Sequence, residues 1–163
     1  MEYISTRGNY KAVSSAEAIS LGMVPEGGLF VPEKIPGLSS EEIMKMKDKS
    51  YQELAVWIFN KFLSDFSREE ITASVKAAYK DENFPPEQKT PLIKLDKNTY
   101  MLELWHGPTA AFKDMALQIL PQLLVRSVKK LKVEKEIVIL VATTGDTGKA
   151  ALEGFKDVEG VKI

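Results

Sequence analysis

Apolar positions follow two regimes along this chain. Before residue 80 they recur at three- and four-residue intervals, and beyond residue 100 they gather into short continuous runs. The first regime predicts amphipathic helices. Leu54, Ala55, Ile58, Phe62 and Leu63 form one such stripe. Three Ser-x-x-Glu capping boxes, Ser39 with Glu42, Ser50 with Glu53 and Ser67 with Glu70, mark helix starts. Helices are therefore expected near 40–48, 51–64 and 68–80. A shorter one is expected from Ser14 to Leu21, where Ala16, Ala18 and Ile19 give the spacing and Gly22 ends it. Pro25-Glu26-Gly27-Gly28 reads as a turn into an extended strip, Leu29-Phe30-Val31, closed by Pro32.

Asp81 to Pro91, with Pro85-Pro86 and few apolar residues, reads as a link between structural units, which places a boundary between 1–84 and 85–163. Beyond it, Tyr100–Leu104 and Ile137–Val141 read as strands, the second as a buried parallel strand. A helical segment over 110–131 lies between them, and Pro121 is expected to kink or restart it. A further helix follows 147, and Val161-Lys162-Ile163 reads as the opening of another strand. That order predicts an α/β class, a helix-rich N-terminal subdomain followed by part of a sheet with right-handed crossovers. Because the pattern stops as a strand opens, the sequence is expected to be a piece of a longer protein.

Composition narrows the functional classes. With 22 Lys and Arg against 23 Asp and Glu, the formal net charge of -1 gives no field that favours nucleic acid or an anionic membrane. There is no cysteine, so disulfides and thiolate chemistry are excluded, and a single histidine, His106, argues against a metal site. No secretory signal opens the chain, and no apolar run has the roughly 20 residues of a membrane-spanning helix. The expectation is a cytoplasmic protein acting on a small molecule.

Two segments could carry that chemistry. In Leu104 to Leu117 a strand enters a Gly107-Pro108 turn and then a helix that Thr109 could cap. Phe112, Ala116, Ile119 and Leu123 share one apolar face, with Leu120 and Leu124 beside it. Lys113 then falls near the positive end of a buried helix, where dipole and burial both disfavour the ammonium and favour the neutral amine that attacks carbonyls. The competing reading is a solvated lysine paired with Asp114. The second segment, Val141 to Ala151, leaves a strand, passes Gly145 and Gly148 and enters a helix, exposing amides that could bind an anion. Its competing reading is a tight turn capped by Asp146 or Thr147. A P-loop fails here because Thr143 and Ala150 stand where glycine and a hydroxyl residue are needed, and Thr143 also breaks the dinucleotide fingerprint. His106 reads as a loop histidine bonded to backbone, and Arg7 as a candidate phosphate contact or a solvated arginine.

Four blocks together resemble the threonine synthase family. They are Ser5-Thr6-Arg7-Gly8, Gly22 to Pro32, His-Gly-Pro-Thr-x-Ala-Phe-Lys-Asp at 106–114, and Thr144-Gly145-Asp146-Thr147-Gly148. The resemblance implies a truncated fold-type II enzyme, whose three-layer parallel-sheet domain binds pyridoxal 5'-phosphate. It implies that Lys113 holds the cofactor as a Schiff base, that Phe112 packs beside it, and that Asp146 lies near its 3'-oxygen. Thr144, Gly145 and Thr147 would hold the substrate carboxylate. The implied reaction converts O-phospho-L-homoserine and water to L-threonine and phosphate, with Arg7 proposed at the substrate phosphate and the fragment inactive alone. Two alternatives stand beside it: another fold-type II enzyme, a dehydratase or β-replacement catalyst, and a noncatalytic interaction fragment.

Overall fold

The computed structural model describes residues 1–85 and 89–163. Of the Pro85-Pro86 pair that marks the expected boundary, Pro86 lies outside the described residues. The chain divides into two compact units, Met1–Val75 with Arg126–Glu134, and Lys76–Val125 with Lys135–Ile163.

In the first unit β1 (Tyr3–Ser5) pairs antiparallel with β2 (Phe30–Pro32), Ile4 opposite Val31. The expected extended strip is thus a strand, whereas β1, three residues with no apolar period, was not predicted. Helix α1 (Ser15–Leu21) starts where the Ser14 hydroxyl accepts the Glu17 N–H and ends on Gly22 at φ 71°. The Asp65 carboxylate reinforces the start, accepting from the Ser15 hydroxyl and from the Ala16 N–H at 3.0 Å. Helices α2 (Ser40–Lys45), α3 (Tyr51–Phe62) and α4 (Arg68–Ala78) each follow one of the three capping boxes. Both bonds of each box form, including Ser67 N–H to Glu70 at 2.7 Å and Glu70 N–H to the Ser67 hydroxyl at 3.2 Å. The α3 stripe is half-buried and only Leu63, just past the helix, is buried. Val13, Ala16, Val24, Phe66, Ile71 and Val75 make the core.

The second unit departs further from expectation. Tyr100–Leu104 shortens to β4 (Tyr100–Leu102), which pairs antiparallel with β3 (Leu92–Lys94) as a hairpin instead of joining a parallel sheet. The turn explains this: the Asp96 carboxylate accepts the N–H groups of Asn98 and Thr99, both at 3.0 Å, folding the chain back on itself. The predicted 110–131 helix is two helices, α5 (Asp114–Leu117) and α6 (Leu120–Lys130), with Pro121 in the first turn of the second. The restart follows from the missing proline N–H, which is harmless only where a helix begins.

The predicted parallel pairing appears in β5 (Ile137–Val138) with β6 (Val161–Lys162), joined by α7 (Asp146–Phe155). The expectation of a buried Ile137–Val141 strand is corrected: the strand is two residues long, and Leu140 is 91% exposed because no described residue covers that face. The architecture is mixed α/β, and among the described residues each sheet has two strands. Tyr79, Phe84, Ala111, Ile119, Leu123, Ala150 and Phe155 form the core. Helix α7 reaches α5 through Gly154, where a Cβ would stand 2.0 Å from the Leu117 carbonyl oxygen.

The capping boxes make helix stability depend on acid. Lys61, bonded at 2.7 Å, and the Ser39 N–H hold Glu42 down to about 2, and the Ser50 N–H and Lys49 do the same for Glu53, against an ordinary value of 4.5. A carboxyl with a lowered folded pKa stabilises fully above its unfolded value and loses that contribution as pH falls through its folded value. Circular dichroism should therefore show helix loss between pH 4.5 and about 2, and Glu42→Gln with Glu53→Gln should flatten it. An unchanged acid transition in the double variant would contradict the assignment.

Candidate functional site

In the second unit the chain before α5 wraps a buried carboxylate. Asp114 is 0% exposed; its Oδ2 accepts the Thr109 N–H at 2.9 Å and its Oδ1 accepts the Thr109 hydroxyl at 2.7 Å. A buried charge is costly unless bonded, and hydrogen bonds to ionised groups contribute roughly 1.5–3 kcal/mol each. The expected cap is thereby corrected: Thr109 donates to Asp114 instead of capping the helix. The physical reason is that α5 begins only at Asp114, after a turn in which Ala110 takes φ 56° and donates its N–H to Gly107 at 3.1 Å.

Lys113 occupies the N-cap position of α5 and is half-buried, with its ammonium 3.8 Å from the centroid of the Phe112 ring. Among the described residues the alternative pairing of Lys113 with Asp114 is not formed: Asp114 turns inward to Thr109, while the Lys113 ammonium lies over the Phe112 ring. The single apolar face expected from 112 to 124 splits. Ile119, Leu123 and Leu124 are buried, while Phe112 is 59% exposed and Ala116 and Leu120 face outward. The break between α5 and α6 removes the continuous period on which that face depended.

The second loop is exposed from Ala142 to Thr147. Gly145 holds the N-cap position of α7 in extended backbone, with no side-chain cap. The expected caps, Asp146 and Thr147, therefore do not act as such; the loop is shaped instead by Thr143, whose hydroxyl oxygen accepts the Gly145 N–H at 3.2 Å. Thr143 approaches α7 so closely that a Cβ on Gly148 would meet its methyl at 1.7 Å. The opening of α7 thus presents uncapped backbone N–H groups beside Thr144 and Thr147 hydroxyls, an arrangement that suits a carboxylate or phosphate. Lys149, in the same turn, donates from Nζ to the Thr109 carbonyl at 3.0 Å.

The remaining candidates make other contacts. His106 bonds through Nε2 to Glu103 at 2.6 Å, a carboxylate partner instead of the expected backbone, because Glu103 sits three residues earlier on the same extended stretch. Arg7 belongs to the first unit; it is exposed, its N–H donates to the Ser5 hydroxyl at 3.1 Å, and its guanidinium lies against Gly27. Among the described residues no cluster of His, Cys, Asp or Glu could hold a metal. Sequence reasoning passed over the parts played by Asp114, Glu103 and Lys149. The Glu103-x-x-His106 spacing was available as a signal; the reach of Lys149 across 40 residues was not.

Residues 2–79 match the family described as threonine synthase N terminus. The chain is 37% identical over 170 residues to threonine synthase of Methylobacillus glycogenes, covering all of this chain and 35% of that protein. It is 38% identical over 165 residues to that of Pseudomonas aeruginosa, covering all of the chain and 34% of the relative. The fold superposes on a pyridoxal-phosphate-bound threonine synthase from Brucella melitensis with a TM-score of 0.91 at 33% identity, over 99% of this chain and 34% of that one. The chain thus spans about a third of the length of these relatives.

If the Asp114 carboxylate organises this turn, Gly107 has no room for a side chain, since a Cβ there would stand 2.5 Å from Asp114 Cβ. Gly107→Ala should lower stability by about 1–3 kcal/mol, measured by urea unfolding. A midpoint equal to or above that of the parent would contradict this packing.

Proposed function

Since the chain belongs to the threonine synthase family, whose N-terminal portion it matches, we propose that it carries the cofactor lysine of an enzyme converting O-phospho-L-homoserine and water to L-threonine and phosphate. The observation that carries this reading is the Lys113 amine, half-buried over an exposed Phe112 ring on a turn fixed by Asp114. Two of these residues fit pyridoxal 5'-phosphate, since the amine can bond a carbonyl carbon and the ring offers an apolar platform, while the uncapped amides of α7 suit the substrate carboxylate. The β5–α7–β6 unit, a parallel pair joined by a helix, supports reading this half as the opening of a three-layer fold-type II domain.

When bound, pyridoxal phosphate supplies an electron sink for charge developing on substrate carbon. In this proposal Lys113 holds the cofactor covalently and, once its amine is free, moves protons at the substrate α and β carbons. Phe112 would pack beside the cofactor ring, and Asp146 would serve its ring oxygen. Thr144, Gly145 and Thr147 hold the substrate carboxylate through amide and hydroxyl donors, and Arg7 is proposed at the substrate phosphate. Because the chain spans about a third of its relatives, the proposal for these 163 residues concerns binding; turnover is proposed only for the longer family architecture.

Incubating the chain with pyridoxal phosphate, reducing with borohydride and mapping the labelled peptides tests the reading. The expected result is an adduct on Lys113 that Lys113→Ala abolishes. Label scattered over surface lysines, with no preference for Lys113, would overturn it.

A further inference from the structure

Lys149 is the fourth residue of α7, a position where the positive end of the helix dipole disfavours a cation. Glu153 stands one turn on, at the spacing of a helical ion pair, yet the Lys149 ammonium donates to the Thr109 carbonyl at 3.0 Å. Thr109 is itself buried, and its N–H and hydroxyl are both committed to Asp114. One residue is therefore held through all its polar groups, from one side by the carboxylate that opens α5 and from the other by the lysine that opens α7. Lys149 and Thr109 share the wall of an open groove of about 790 Å³ with Pro108 and Leu152, so the link bounds a space and is not buried in the core.

We propose that Lys149 is a positioning residue. Through the Thr109 carbonyl it fixes the Thr143–Thr147 loop against the turn that carries Lys113, so that the amine and the anion-binding amides keep one geometry. This rests on the role proposed above for Lys113, but the link itself can be tested without it. The bond crosses from the first turn of α7 to the turn before α5, so its loss should loosen that turn as well as the loop that leads into α7, whereas a lysine that only stabilises α7 should loosen that helix alone.

Hydrogen exchange by mass spectrometry on the parent chain, Lys149→Met and Lys149→Arg decides the matter. The methionine keeps the aliphatic length without donors; the arginine keeps charge and donors. Lys149→Met should raise exchange about tenfold in peptides over both 107–113 and 143–147, and Lys149→Arg should restore much of the protection. The rate of borohydride-trapped labelling of Lys113 by pyridoxal phosphate should fall in Lys149→Met and recover in Lys149→Arg. Exchange that is unchanged, confined to α7, or raised evenly across the chain would overturn the proposal. If the parent chain shows no selective Lys113 label, the cofactor reading fails, while the exchange comparison still decides the role of Lys149.

Discussion

A carboxyl side chain removed from water constrains the turn around it. Asp114 is fully buried, and both of its oxygens accept from one residue, Thr109, five positions earlier. Two donors on one neighbour close a short loop and fix its backbone. Within that loop Ala110 takes positive φ and Phe112 and Lys113 are carried to the outer side of the turn, and just before it Gly107 must lack a side chain. The chemical groups are thus displayed by a device whose energy lies beneath them, with the carboxylate as the fixed point and the amine as the presented group.

The same constraint extends into α7. Gly154 lets that helix approach the Leu117 carbonyl, and Lys149 reaches Thr109 from the helix start, so α7 meets α5 near one end and the turn before α5 near the other. A site that must hold an amine and an anionic group at a set separation gains from such double attachment, since misplacement of either costs rate. These contacts are made by residues of the second unit.

Much of the first unit was legible in the sequence because its signals are local. Ser14, Ser39, Ser50 and Ser67 each act within three residues of themselves, and Gly22 needs only its own φ. Pro121 announced the break between α5 and α6 for the same reason, since it alters its own backbone. What stayed hidden depends on distant partners. β1 exists because Phe30–Pro32 lies beside it, and the 92–102 hairpin because Asp96 gathers two amides. The run Ile137–Val141 reads as buried from its composition, yet burial requires covering atoms that the described residues do not provide. In the candidate site, the motif at 106–114 drew attention to the turn that carries Lys113, while Thr109 was assigned the wrong partner: a hydroxyl before a helix suits both a cap and a buried carboxylate, and only the fold selects between them.

The bond between Thr109 and Asp114 organises the lysine turn, and a double-mutant cycle measures it directly. Urea unfolding of the parent chain, Thr109→Val, Asp114→Asn and the double variant should give a coupling energy of about 1.5 kcal/mol or more, with each single variant destabilised. Additivity within about 0.5 kcal/mol would mean that the two residues act independently, and that the buried carboxylate does not organise the lysine turn.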